Sequence, residues 1–264
     1  MQDLNISFIQ SSILWEDKEA NLDHYSALIR SIGQPTDLIL LPEMFNTGFS
    51  MDAVRLAEAM DGPTIDWMIA TAKEHRTTLT GSLIIKENGK YYNRLVVVFP
   101  EGQVMTYDKR HLFRMAGEDK TYTPSSDYIL FEINGWKIRP FVCYDLRFPV
   151  WARNRFNERW EYDLAIYVAN WPASRTIPWK ALPIARAIEN QCYVATLNRV
   201  GKDGKGLEYH GDSQLINSYG EIVVHLDENE RVLTHRIDKK LLDKHRADFP
   251  VGLDADAFQI NPEG

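Results

Sequence analysis

Apolar positions along the chain fall into short blocks whose period changes from one block to the next. Asn5 to Gln10 alternates apolar with polar and predicts a strand. Glu19 to Ile32 places Leu22, Tyr25, Leu28 and Ile29 on one helical face. Asp37 to Leu41 is a short apolar run stopped at Pro42, as expected of a strand covered on both faces. Pro63 opens a helix that turns Ile65, Met68, Ile69 and Ala72 inward. Three hairpins follow. Leu79–Ile85 and Tyr91–Phe99 meet across Asn88-Gly89, Tyr128–Ile133 and Trp136–Val142 across Asn134-Gly135, and Gln214–Asn217 and Glu221–Leu226 across Ser218-Tyr219-Gly220. Gln103–Tyr107, Asp163–Ala169, Cys192–Leu197 and Arg231–Ile237 predict further strands, and Pro178–Asn190 and Asp238–Arg246 predict helices.

Helices and strands interleave, but hairpins interrupt the βαβ rhythm. That pattern predicts a mixed sheet, or two packed sheets with helices outside. No linker, low-complexity tract or long internal period divides the chain. One domain over residues 1–264 is expected, closing in a short extension over about 248–264.

Composition narrows the function. The net charge is −7, and the densest basic cluster, Asp108-Lys109-Arg110-His111 with Arg114, is short and flanked by acid. A nucleic-acid partner needs a basic stripe, so none is expected, nor a polybasic membrane contact. No apolar run approaches the roughly 20 residues of a membrane span. The opening Met-Gln-Asp-Leu-Asn-Ile has neither the basic stretch nor the apolar run of a secretory leader. Two cysteines make no disulfide framework. A cytoplasmic chain with reduced thiols is expected, with Cys192 buried and inert. The seven histidines show no His-x-x-x-His spacing, and no phosphate loop or Gly-x-Ser-x-Gly elbow occurs. Gly201-Lys202-Asp203-Gly204-Lys205-Gly206 reads as a flexible loop.

Three of the expected strands end in reactive groups: Leu41-Pro42 runs into Glu43, Tyr107-Asp108 into Lys109, and Phe141-Val142 into Cys143. Chemistry collects beyond the carboxyl ends of strands in open α/β sheets. A carboxylate can take a thiol's proton, an ammonium can stabilise an anionic tetrahedral intermediate, and the backbone N–H after Cys143 can complete an oxyanion hole. Taken singly, each has a bland alternative: an inert core thiol, a solvated loop carboxylate, a surface lysine. A Cys143–His111 pair is a further option, although the local signature of papain-like enzymes is absent.

The blocks Leu41-Pro42-Glu43-Met44-Phe45, Asp108-Lys109-Arg110-His111-Leu112-Phe113 and Val142-Cys143-Tyr144-Asp145-Leu146-Arg147-Phe148-Pro149 together resemble the nitrilase superfamily of carbon–nitrogen hydrolases. Asn170-Trp171-Pro172 and Arg186-Ala187-Ile188-Glu189-Asn190-Gln191 match its later blocks in order. The resemblance implies a four-layer αββα sandwich, two mixed sheets with helices outside, that pairs through helices as a homodimer. It implies a Glu43–Lys109–Cys143 triad, with Glu118 of Gly117-Glu118 as a second carboxylate beside the lysine. Cysteine attack, loss of ammonia and hydrolysis of a thioester follow, with no cofactor or metal. Cys143-Tyr144-Asp145-Leu146-Arg147-Phe148-Pro149 and Asn170-Trp171-Pro172 look like the ω-amidase branch, which acts on 2-oxoglutaramate and 2-oxosuccinamate. True nitrilases commonly carry Cys-Trp-Glu where this chain has Cys143-Tyr144-Asp145. A carboxylate-bearing substrate needs a cation, for which Arg147, Arg175 and Arg114 are candidates. Phe45, Tyr144 and Trp171 are expected to line the pocket. An aliphatic amidase or nitrilase, and a non-catalytic binding or assembly protein on the same fold, are the alternatives. Ala181, Ile184, Ala185 and Ile188 offer a shallow apolar helix face that suits either a dimer contact or core packing.

Overall fold

The structure, a computed structural model, describes residues 3–260. The first sheet holds β1 (Leu4–Gln10), β2 (Leu38–Leu40), β3 (Thr78–Glu87), β4 (Lys90–Val98) and β5 (Val104–Asp108), with β16 (Arg231–Ile237) beside β1. The second holds β6 (Phe131–Ile133), β7 (Trp136–Val142), β10 (Leu164–Ala169), β11 (Tyr193–Asn198), β14 (Gln214–Ile216) and β15 (Ile222–His225). Each is mixed. Parallel pairs β1/β2 and β2/β3, and β7/β10 and β10/β11, form the centres, and antiparallel strands close both sides. Two small hairpins stand apart: β8 (Phe156–Asn157) with β9 (Arg159–Trp160), and β12 (Val200–Lys202) with β13 (Glu208–His210).

Successive side chains of a strand point to opposite faces, and that alternation builds the layers. Leu38 and Leu40 join Leu4, Ile6 and Phe8 in a core shared with Phe141, Ile166 and Val168 of the other sheet. Ile39 and Leu41 face the opposite way, against Tyr25 and Ile29 of α1 (Lys18–Arg30) and Ile65, Met68 and Ala72 of α3 (Pro63–His75). The apolar run at Leu38–Leu41 is continuous because both faces are covered. On the far side, α6 (Thr176–Asn190) lies against β11 and β14 and buries Trp179 and Ala187. The result is the expected αββα sandwich.

The Asn88-Gly89 and Asn134-Gly135 turns take positive φ at both positions, 49° and 76° and then 52° and 82°, as a two-residue hairpin requires. One strand is shorter than expected. Tyr128–Leu130 does not pair; Tyr128 instead lies 4.1 Å from the Arg139 guanidinium and edge-on to Trp151. The short helices α2 (Ala53–Leu56), α4 (Glu118–Thr121) and α5 (Pro149–Ala152) carry no readable periodicity. The last helix, α7 (Lys239–Asp248), is capped by the Asp238 carboxylate, which accepts from the backbone N–H groups of Lys240 and Leu241. The expected extension beyond it forms a 3-10 turn at Val251–Asp254, and residues 261–264 lie outside the described part. No helix among the described residues is long and apolar enough to cross a membrane.

Candidate active site

Both sheets aim strand ends at one place. β5 stops at Asp108 and delivers Lys109; β7 stops at Val142 and delivers Cys143; β10 stops at Ala169 and delivers Asn170. Beyond β2, residues 41–45 hug β3 through hydrogen bonds from Leu41 N–H to Thr80 O (2.7 Å) and Phe45 N–H to Ser82 O (3.2 Å). Gly81 makes that approach possible: a Cβ there would lie 2.9 Å from both Leu41 Cβ and Phe45 Cδ1. Glu43 is thereby turned inward.

Lys109 Nζ donates to Glu43 Oε1 at 2.9 Å and to Glu118 Oε1 and Oε2 at 3.0 Å each, and all three side chains are fully buried. Asn93 Nδ2 bridges the carboxylates, donating to Glu43 Oε1 at 2.8 Å and Glu118 Oε1 at 3.0 Å. Glu43 Oε2 accepts the backbone N–H of Asn170 at 2.8 Å, and Glu118 Oε2 accepts that of Phe113 at 2.5 Å. Buried charges persist only when paired and hydrogen-bonded, and here every carboxylate oxygen has a donor. Cys143 stands beside this cluster, half-buried, at φ 46° in the left-handed region, with Sγ 4.0 Å from Asn170 O.

One ammonium is shared between two carboxyl groups, so a thiolate beside them would add a further negative charge next to Glu43. Burial pushes the Cys143 thiol well above its ordinary range; Glu43 adds to the rise, and Lys109 opposes it. The resting group is therefore a neutral thiol. Burial works against the Lys109 charge, but Glu118 and Glu43 outweigh it and raise that pKa. Glu118 is raised by burial, with Lys109 pulling the other way and Glu43 adding to the rise.

Above the thiol lies a cavity of about 310 Å³ with Lys109 and Cys143 in its wall. Tyr144, Trp171, Arg147 and Arg175 line it. Phe45 does not. It is fully buried in the core behind the site, edge-on to Tyr25, and Phe49 takes the cavity position with its ring 5.2 Å from Lys109 Nζ. The turn at Glu43–Thr47 faces Phe45 away, which spacing alone does not reveal. Arg114 is exposed and pairs with Asp119 outside the cavity. His111 does not face Cys143 as a base; its Nδ1 meets Asp145 Oδ1 at 2.7 Å.

Residues 201–206 begin in β12 and turn into β13, so the segment is a hydrogen-bonded hairpin and not an unstructured loop. The Asp203 carboxylate accepts from Lys205 N–H and Leu207 N–H at 2.9 Å each and from the Tyr209 hydroxyl at 3.0 Å, which fixes the β12–β13 hairpin as a cavity wall. Asn93 lies outside the sequence blocks that carry the triad; it stands with Arg94 just before the apolar run Leu95-Val96-Val97-Val98 of β4.

The two thiols should be separable. Both thiols are raised by burial, but Cys192 is fully enclosed in the core whereas Cys143 opens on the cavity, so access separates them. Iodoacetamide on the native protein should add one group, at Cys143, and two groups only in denaturant. Equal native labelling of both would contradict this arrangement.

A carbon–nitrogen hydrolase family model matches residues 5–247. The omega-amidase YafV of Escherichia coli (strain K12) is 46% identical over 264 residues, which span 98% of this chain and 100% of that one. The 2-oxoglutaramate amidase of Bacillus subtilis (strain 168) is 31% identical over 249 residues, 93% of this chain and 95% of that one. The crystal structure of XC1258 from Xanthomonas campestris, a CN-hydrolase superfamily protein with an arsenic adduct in the active site, superimposes with a TM-score of 0.97 at 45% identity, covering 99% of this chain and 100% of that one.

Proposed function

The chain belongs to the carbon–nitrogen hydrolase family, and from that premise we propose that it is an ω-amidase, releasing ammonia from the terminal carboxamide of a short 2-oxo acid of the 2-oxoglutaramate kind. The observation that carries this is a fully buried lysine held between two carboxylates, beside a thiol that opens on a small cavity.

As Cys143 Sγ bonds to the amide carbon, Glu43 takes the thiol proton. The negative oxygen of the tetrahedral intermediate is held by the Lys109 ammonium and the Tyr144 backbone N–H. Tyr144 lies in the first turn of the 3-10 helix Cys143–Arg147, where N–H groups have no intrahelical acceptor. One such donor is worth about 2.7–4 kcal/mol. Glu43 returns the proton to the nitrogen, the carbon–nitrogen bond breaks, and ammonia leaves a thioester on Cys143. Water, deprotonated by Glu43, attacks the thioester; the carbon–sulfur bond breaks and the thiol regains its proton. Glu118 keeps Lys109 charged and in place throughout. No step calls for a metal or cofactor.

Substrate choice rests on the far wall. The Arg147 guanidinium lies 5.1 Å from the Trp171 ring and that of Arg175 lies 5.0 Å from Phe113. Neither has an acidic partner within 4.0 Å among the described residues. Unpaired, ring-backed guanidinium groups suit a substrate carboxylate. Arg175→Met should raise KM for the acidic amide by about 10- to 100-fold, the worth of one charge-assisted hydrogen bond, and leave a neutral amide of equal length unchanged. An unaltered preference would remove Arg175 from that role.

The deciding experiment is ammonia release from short carboxamides with and without a distal carboxylate. Fastest turnover on the 2-oxo acid ω-amide supports the proposal. Preference for a neutral amide or a nitrile points to an aliphatic amidase or nitrilase, and no turnover with the thiol reduced leaves a binding protein. Two free thiols fit a reducing cytoplasm. The α6 face bearing Ala181, Ala185 and Ile188 stays outward, and it adjoins Gly220 of the β14–β15 turn, where Tyr219 and Ile222 are exposed. This patch suits a homodimer, which sedimentation tests.

A further inference from the structure

Asp145 is fully buried two residues after Cys143, and the chemistry above gives it no part. Its carboxylate accepts four hydrogen bonds. Oδ2 takes the Val142 backbone N–H at 3.0 Å and the Tyr107 hydroxyl at 2.8 Å; Oδ1 takes the His111 backbone N–H at 3.1 Å and the His111 ring Nδ1 at 2.7 Å. Because an ionised carboxylate only accepts, Nδ1 carries the proton.

The donors come from both sheets. Val142 ends β7 in the second sheet, immediately before the nucleophile. Tyr107 belongs to β5 in the first sheet, and His111 lies two residues past Lys109 on the same chain segment. Supporting contacts leave the donors little freedom. The Tyr107 oxygen itself accepts Trp151 Nε1 at 3.1 Å and Arg110 N–H at 3.2 Å, and the His111 ring lies parallel to Phe148 with centroids 3.7 Å apart. Cys143 meanwhile holds a left-handed φ of 46°, a conformation that persists in a non-glycine residue only when its surroundings enforce it.

We propose that Asp145 is a positioning residue for the hydrolysis: its carboxylate clamps the end of β7 to the Lys109 segment and so sets the reach from Cys143 Sγ to the ammonium. His111 acts through it as an Nδ1–H donor and not as a base. This rests on Cys143 being the nucleophile. Asparagine at position 145 would turn an NH2 group toward two of the four donors, loosening the clamp without changing its volume.

Two readouts test the clamp: steady-state amide hydrolysis, and the second-order rate of Cys143 alkylation by iodoacetamide, which depends on no choice of substrate. Asp145→Asn should lower kcat by about 100-fold, the scale of an ångström misplacement, with KM within about threefold. Alkylation of Cys143 should slow with it. His111→Ala should lower kcat by about tenfold, as expected for one charge-assisted hydrogen bond. His111→Asn should restore it, because asparagine Nδ2 falls where the ring Nδ1 lies and cannot take up a proton. Unchanged kcat and alkylation in Asp145→Asn, with only Tm lowered, would overturn the proposal. So would a His111→Asn as inactive as His111→Ala, which makes the ring a base. If Asp145→Asn does not fold, the His111 pair decides alone. If the wild type turns over no amide while Cys143 still alkylates, the amidase reading fails and the alkylation arm still judges the clamp.

Discussion

Cys143→Ser is expected to lower ammonia release by about 10⁴-fold or more, the scale on which removal of a covalent nucleophile acts, while leaving Tm nearly unchanged. The two halves have separate causes. Structurally the exchange is close to isosteric, and a serine hydroxyl can keep the contacts that Sγ makes with Asn170 O and the Glu43 carboxylate, so little packing or hydrogen bonding is lost. The left-handed φ of 46° belongs to the turn, and serine carries the same backbone cost as cysteine. Chemically, the resting thiol is neutral because burial and Glu43 raise it, so attack depends on handing its proton to Glu43. A serine hydroxyl is far less acidic than a thiol, so the same transfer to Glu43 becomes much harder. Intact mass should show an acyl adduct on the wild type under substrate and none on the variant. Activity within about tenfold of wild type would take Cys143 out of the mechanism.

Much of this framework is readable from the chain because its signals are local. Leu38–Leu41 reveals a doubly covered strand by its unbroken apolar run, and the Asn-Gly pairs reveal hairpins through the positive φ they alone accept readily. Glu43, Lys109 and Cys143 stand out for the same reason: each follows a recognisable strand. Features that depend on two distant segments are not readable in this way. Asn93 bridges Glu43 and Glu118 from the middle of β4, and nothing near it in sequence says which way it faces. Phe45 and Phe49 are both aromatic and both close to Glu43; the turn between them sends one into the core and the other to the cavity. The 201–206 segment has the composition of a flexible loop, yet the single carboxylate of Asp203 organises it through three hydrogen bonds. His111 shows the converse error. Its spacing permits a pair with Cys143, but the buried Asp145 carboxylate claims its ring proton.

Lys109→Met should reduce turnover by about 10³-fold or more through loss of the oxyanion partner, and unlike Cys143→Ser it should also destabilise the fold, by about 3–5 kcal/mol at neutral pH. Methionine fills the volume but leaves Glu43 and Glu118 buried together without a cation. Lys109→Arg is no remedy, since a planar fork cannot occupy a fully buried site shaped for a compact ammonium with three oxygens at 2.9–3.0 Å. The loss should depend on pH, and its sign is fixed. Burial and Glu43 already hold Glu118 above its ordinary 4.5, and Lys109 is the group that opposes them. Without it the folded-state pKa rises further, so the folded variant keeps a proton that the unfolded chain has shed. Stability from that proton is fully present below 4.5 and is lost as pH rises through the raised folded value. The gap to wild type should therefore be smallest near about pH 5 and widen towards about pH 8. Adding Glu118→Gln removes one of the two stranded charges. The double variant should recover part of the stability lost by Lys109→Met at about pH 8, and none of the activity, because the two changes act on one buried pair and cannot be additive. Urea titration of the single and double variants at both pH values decides it. A gap that does not change with pH, or no recovery in the double variant, would mean that the two carboxylates do not depend on Lys109 for their charge.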